Sequence, residues 1–210
     1  MSEDAKRDAL IDALLCQVPF DGWTSRALAH ALAAAGEHPD DGPLYFPGGA
    51  AEMISAFCAL ADERMEQAAV AADLAAYRVP ARVKAIIALR FEQNRGNKEA
   101  IRRALAWLSL PMHLPLAAKL TAATVDAIWH AAGDTSADFN WYTKRGILAG
   151  VYTSTLLYWL RDASDDDEAT LAFLDRRLAD VGKIGGLRRT MTARFEKAGS
   201  GLRGLVPKRG

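Results

Sequence analysis

Thr24-Ser25-Arg26-Ala27-Leu28-Ala29-His30-Ala31-Leu32-Ala33-Ala34-Ala35-Gly36, then Glu37-His38-Pro39-Asp40-Asp41-Gly42-Pro43, then Leu44-Tyr45-Phe46: this stretch decides how the chain is read. Thr24 or Ser25 suits the cap of a helix whose apolar residues recur at helical spacing, and Gly36 suits the residue that ends it. Two prolines and Gly42 then break the chain into turns. On the N-terminal side the same spacing predicts a helix from Asp4 to Val18, stopped at Pro19. On the C-terminal side Pro47-Gly48-Gly49 leads into a long helix expected from Ala50 to about Tyr77. Helix, capped helix, turn, a short aromatic piece and a long helix is the order of a helix-turn-helix unit.

Working outward, the pattern stays helical and strand-like alternation is nearly absent. Helices are expected from Pro80 to near Asn94, Lys98 to Leu110, Leu116 to Ala132 and Asp138 to Leu160. Two more run from a cap at Ser164 to Gly182 and from Leu187 to Ala198, and the tail is Gly-rich. The expected architecture is an all-α bundle of about ten helices, with no repeat at fixed period. Half of the 210 residues are apolar, enough for one substantial core. The expected organisation is a helix-turn-helix-like part at 1–70, a body at 71–183, and a basic segment at 184–210 hinged on Gly185-Gly186. No run of about 18 apolar residues is present to span a membrane. Cys16 and Cys58 are too few for a disulfide framework and read as reduced thiols in a reducing compartment.

Charge separates the two ends. Lys plus Arg equals Asp plus Glu at 26 each, yet Met1–Glu66 carries a net −8 and Arg176–Gly210 a net +8. The helix-turn-helix order resembles the N-terminal part of TetR-type proteins, in which Leu44-Tyr45-Phe46 would close the recognition helix. Reading DNA needs donors for base edges and cations for phosphates. Glu37–Pro43 has three carboxylates, two prolines and no Lys or Arg. The expectation is therefore the architecture without the nucleic-acid partner; a TetR-type ligand-responsive regulator is the alternative.

A second stretch is Val125-Asp126-Ala127-Ile128-Trp129-His130, continuing through Gly133-Asp134-Thr135-Ser136 to Asp138-Phe139-Asn140-Trp141-Tyr142-Thr143-Lys144-Arg145. It mixes large aromatics with charged and amide groups. Trp141 and Tyr142 are adjacent, so on a helix they point about 100° apart, and when one packs inward the other lies near the surface. Exposed aromatics beside Arg make interface anchors, although such a pair also serves as core or interdomain packing.

This segment, with Leu148-Ala149-Gly150-Val151-Tyr152, Asp162-Ala163-Ser164 and Thr170–Arg177, resembles the Coq-nine family of ubiquinone (coenzyme Q) biosynthesis accessory proteins. The resemblance implies a TetR-like fold without DNA binding and a homodimer. It also implies an apolar pocket for an isoprenoid lipid or ubiquinone precursor, and support of the di-iron hydroxylase that acts on demethoxyubiquinone. The partner-facing patch it implies falls on Asp138, Trp141, Tyr142 and Arg145, with Ile128 on the preceding helix. The pocket it implies is lined from Phe57, Met65, Ile86, Phe91, Trp107, Leu108, Met112, Leu156 and Trp159; the same side chains suit a filled core. The mitochondrial presequence of eukaryotic members is not seen, so the expectation is a bacterial form, cytoplasmic and peripheral to the inner membrane.

The tail is read from its own pattern. Leu187, Met191 and Phe195 recur at i, i+4 and i+8, with Arg188, Arg189, Arg194 and Lys197 around them. That is the pattern of a helix lying in a membrane surface, with docking on the body as the alternative. Catalytic motifs are not found. Asp126 and His130 stand at i, i+4, which reads as a helix-surface pair rather than half of a metal site, and the Glu-x-x-His of di-iron bundles is missing. No phosphate loop, nucleophile elbow or paired-cysteine motif is seen, so neither enzyme activity nor cofactor is expected.

Overall fold

The computed structural model describes residues 3–134 and 140–181. They form α1 (Glu3–Asp21), α2 (Ser25–Ala34), α3 (Gly42–Tyr45), α4 (Ala50–Ala71), α5 (Val79–Gln93), α6 (Lys98–Leu108), α7 (Leu114–Ala131), α8 (Asn140–Trp159) and a ninth helix, α9, at residues 168–181. No strand occurs among the described residues, so the fold is all-α as expected. No single helix among them is long and apolar enough to cross a membrane.

Two cores hold the helices together. The first takes Leu10, Leu14 and Val18 from α1, one face at i, i+4, i+8, and sets them against Leu28 and Leu32 of α2, Phe46, and Ile54 and Phe57 of α4. Ala100, Ala104 and Leu108 of α6 close it, and the Trp23 indole donates to the Ala100 carbonyl at 3.0 Å. The second takes Met65 and Ala69 from α4, Ile86, Ile87 and Phe91 from α5, Val125 and Ile128 from α7, Tyr152 and Trp159 from α8, and Leu174 from α9. Phe91 stacks on Trp159 at 4.9 Å and on Tyr152 at 6.1 Å between centroids. Each large apolar side chain so buried contributes about 1.5–3 kcal/mol. Helix α4 feeds both cores, so the N-terminal part and the body share one spine.

The helix-turn-helix region departs from a working one where the sequence suggests. Thr24 caps α2 in an extended conformation, its Oγ1 accepting from the Ala27 amide at 3.3 Å. Gly36 ends the turn after α2 at φ +78°, the left-handed region. The recognition position then holds a 3-10 turn, Pro39–Asp41, and the single turn of α3. Gly42 lets α3 sit close: a Cβ there would lie 3.0 Å from Leu28 Cδ2.

Several helix ends differ from expectation. Helix α1 runs past Pro19 to Asp21, because a proline in the last turn removes only its own N–H from the ladder, and the Gly22 amide still reaches the Val18 carbonyl at 2.9 Å. Helix α4 stops at Ala71, not Tyr77. From residue 72 to 77 all but Leu74, which packs on the second core, are exposed, and Asp73 turns the chain at φ +45°, where Asp is tolerated. Pro115 lies inside the first turn of α7, which begins at Leu114.

Candidate lipid and partner site

A pocket of about 70 Å3 lies at the seam of the two cores. Phe57 and Leu108 face it from the first core; Phe91, Leu156 and Trp159 face it from the second. Five of the nine residues expected to line a pocket thus meet around one space. Met65 and Ile86 are fully buried in the second core without lining the space. Trp107 is half-buried and stacks on His113, and Met112 is 75% exposed. Helical spacing alone does not tell which side of a core helix meets a void.

The cavity has a polar wall absent from the expected lining. Arg90 Nη1 pairs with Asp62 Oδ1, and the Thr124 hydroxyl donates to Asp62 Oδ2 at 3.0 Å. Arg90 Nε donates to the Tyr152 hydroxyl at 3.0 Å. One buried polar junction therefore ties α4, α5, α7 and α8. Burial pushes the Asp62 carboxyl up, against the lowering pull of Arg90 and the Thr124 hydroxyl. Burial likewise pushes the Tyr152 phenol up. Cys58, also on the cavity, is driven by burial to about 11, so it is a neutral thiol and not a nucleophile.

A larger apolar groove, about 200 Å3, opens on the body between α5, α7, α8 and α9. Val79 and Val83, Trp129, Ile147 and Val151, and Leu178 and Val181 line it, one pair or single residue per helix. Lys144 stands at its edge, 6.0 Å from the Trp129 ring and 3.5 Å from Asp134. Sequence reasoning missed this groove. The available signal was the apolar spacing of Leu174, Leu178 and Val181 on α9, of which the last two line the groove.

The residues of the expected partner patch fall in different surroundings. Tyr142, in the first turn of α8, is 78% exposed and lies on the same helix end as Lys144 and Ile147 of the groove. Arg145 reaches back to Asp126 and joins α8 to α7. Ile128 is 0% exposed and belongs to the second core, so it supports this end of α7 from inside. Asp138 and the side chain of Trp141 lie outside the described residues, as do Leu187, Arg188, Arg189, Met191, Arg194, Phe195 and Lys197. His130 faces Glu66 at 3.1 Å while Asp126 holds Arg145, so the two share no ligand position. Among the described residues no three His, Cys, Asp or Glu side chains gather as for a metal.

Comparison with known proteins bears on this arrangement. The family model described as COQ9 matches residues 114–185, which includes the groove residues of α7, α8 and α9. The ubiquinone biosynthesis protein COQ9 of Rattus norvegicus is 32% identical over 98% of this chain and 68% of its own length. The chain belongs to the COQ9 family. The COQ9 protein of Homo sapiens is 31% identical over 98% of this chain and 66% of its own, and that of Schizosaccharomyces pombe 28% over 87% and 72%. The chain thus spans about two thirds of the length of the rat and human COQ9 proteins. A TetR transcriptional regulator from Nitrosomonas europaea superposes with a TM-score of 0.66 at 22% identity, covering 82% of this chain and 95% of that one. That likeness establishes a TetR-like fold for this COQ9 member.

Proposed function

We propose that the chain is a non-catalytic accessory protein of ubiquinone biosynthesis that holds an isoprenoid quinone precursor and presents it to the di-iron demethoxyubiquinone hydroxylase. Kinship with proteins named for ubiquinone biosynthesis supports the pathway. The observation that carries the rest is the 200 Å3 apolar groove itself, lined on α8 by Lys144, Ile147 and Val151, with exposed Tyr142 in the first turn of that same helix. An isoprenoid chain left in water exposes apolar surface at a cost of about 25 cal/mol per Å2, so a groove of this lining is a favourable lodging. An exposed aromatic on a groove-lining helix gives the hydroxylase an anchor on the element that holds the ligand.

Three further parts complete the reading. Val181, the last described residue, lines the groove, and the basic amphipathic segment read as membrane-binding follows it within a few residues. Five extended residues reach at most about 17 Å, so a bilayer-bound segment would keep the groove close to the lipid. The place of action is the membrane surface, the inner membrane in a bacterial cell. The homodimer would form through α8 and α9, where Gly146, Gly150 and Leu157 are exposed on α8. Nucleic acid has no part in this reading: the 3-10 turn at the recognition position carries Asp40 and Asp41 and no basic residue of its own.

Lipid extraction from the purified full-length protein, read by mass spectrometry, tests the proposal, together with uptake of added short isoprenoid quinones. Co-purified or captured isoprenoid lipid is expected. No lipid in the preparation and no uptake would overturn it, and tight sequence-selective retardation of DNA would favour the regulator instead.

A further inference from the structure

The turn between α6 and α7 is built of apolar residues that neither core uses. From Ser109 to Pro115 every residue is exposed except half-buried His113. Leu110 is 45% exposed, Met112 75% and Leu114 53%. Single exposed aliphatic side chains are ordinary, but three within one short turn form a patch, and such a patch marks a contact. The turn is held in shape. Pro111 and Pro115 fix its backbone, and the Ser109, Leu110 and His113 amides donate to the Leu105, Trp107 and Leu110 carbonyls at 2.9, 3.4 and 2.8 Å. The Ser109 hydroxyl donates to the Ala106 carbonyl at 2.7 Å. Such a turn leaves water with few polar groups stranded, since the two prolines carry no N–H and these donors are already matched.

We infer that this turn is a second membrane contact, a wedge that seats Leu110, Met112 and Leu114 at the headgroup boundary of an acidic bilayer. It is separate from the basic segment that follows Val181 and is carried by different residues. Charge favours a lipid surface. The stretch from Ala100 to Val125 holds Arg102, Arg103 and Lys119 and no carboxylate, whereas Met1–Glu66 is net −8. Glu99 pairs with Arg102 and Arg103, and Lys119 is exposed in the second turn of α7, where a cation meets an anionic headgroup. Trp107, just before the turn, is half-buried and stacks on His113 at 3.5 Å between centroids. An indole at the edge of an apolar patch suits the boundary between lipid and water. The place of the turn has a consequence for orientation. Trp129 lines the groove near the other end of α7, fifteen residues from Leu114, or about 22 Å along the helix. Contacts at the turn and after Val181 would lay α7 along the membrane rather than tether the body at one point.

The test places a polarity-sensitive fluorophore on the full-length protein in a Cys16→Ser background, at Met112→Cys and, separately, at Leu44→Cys. Leu44 is as exposed and apolar as Met112 but lies on α3, in the acidic part. On vesicles of phosphatidylcholine and phosphatidylglycerol, the label at 112 is expected to brighten, shift to the blue and be quenched by lipids brominated on the acyl chain. The label at 44 is expected to stay unchanged. Met112→Asp in the otherwise unaltered chain is expected to weaken vesicle binding about tenfold, and Met112→Leu to preserve it. A label at 112 that remains in water while the chain sediments with vesicles would overturn the inference, assign the turn to a protein partner and leave the role of the basic segment standing. An equal response at 112 and 44, or Met112→Asp binding as well as the parent, would overturn it too. Failure of the full chain to sediment at all would overturn both membrane contacts. The label at 112 reads the turn independently of how Met112→Asp folds.

Discussion

Ile128 and Tyr142 sit one helix apart, yet they belong to different kinds of chemistry. Ile128 is sealed in the second core, and Tyr142, in the first turn of α8, is largely exposed. Truncating a sealed isoleucine removes its transfer energy and leaves a void, so Ile128→Ala should cost about 2–5 kcal/mol and lower the thermal midpoint. Tyr142 belongs to neither core, so Tyr142→Ala should leave the thermal midpoint much closer to the parent protein than Ile128→Ala does. If this face docks the hydroxylase, Tyr142→Ala should nevertheless weaken capture of the enzyme about tenfold or more in a surface-binding assay, as aromatic anchors do. Unchanged capture by a well-folded Tyr142→Ala protein would remove the docking role from this residue. The two variants together separate loss of fold from loss of contact.

At the scale of elements, the entry to α9 shows how much local chemistry a sequence discloses. Ser164 was the expected cap, and its hydroxyl does accept from the Ala169 amide at 3.2 Å. The stronger device is Asp162, whose carboxylate accepts from the amides of Ser164 and Thr170 and from both hydroxyls. Partial burial alone would raise this carboxyl; the four hydrogen bonds overcome it and hold it well below the usual carboxylate range. A group depressed in the folded state lends stability above its unfolded value, near pH 4, and loses it as the pH falls further toward the folded value. Asp162→Ala should therefore cost about 0.5–2 kcal/mol at neutral pH. In urea titrations the gap from the parent protein should narrow progressively below about pH 4. A gap independent of pH would mean the carboxylate is not what holds the turn. The helices themselves were legible because caps, prolines and 3.6-residue spacing are local signals. The TetR-like order was legible from Thr24, Gly36 and the aromatic run at Leu44-Tyr45-Phe46. The polar junction of Asp62, Arg90, Thr124 and Tyr152 was not, because each partner stands on a different helix and a buried charge interrupts the apolar pattern that marks a core. The groove was hidden for a related reason: Val79, Trp129, Val151 and Val181 become one surface only when four helices are assembled.

For the whole molecule, the charge asymmetry and the groove point the same way. The N-terminal part, net −8 over Met1–Glu66, has α3 and Asp40 where a regulator would present cations, so it repels anionic surfaces. The other end, net +8 over Arg176–Gly210, attracts them, and it begins where α9 lines the groove. Cations near an acidic bilayer contribute about 1 kcal/mol each, and an apolar stripe dipping below the headgroups adds burial that salt does not screen. A chain ending before Gly185 keeps every residue of both cores, so it should melt close to the full-length protein. Vesicles rich in acidic phospholipid should sediment the full chain strongly and the shortened one weakly, and raising the salt should erode but not abolish the difference. Equal sedimentation of the two proteins would place membrane contact on the body instead. Equal sedimentation of the full chain by neutral and acidic vesicles would assign the attraction to Leu187, Met191 and Phe195 rather than to the cations around them.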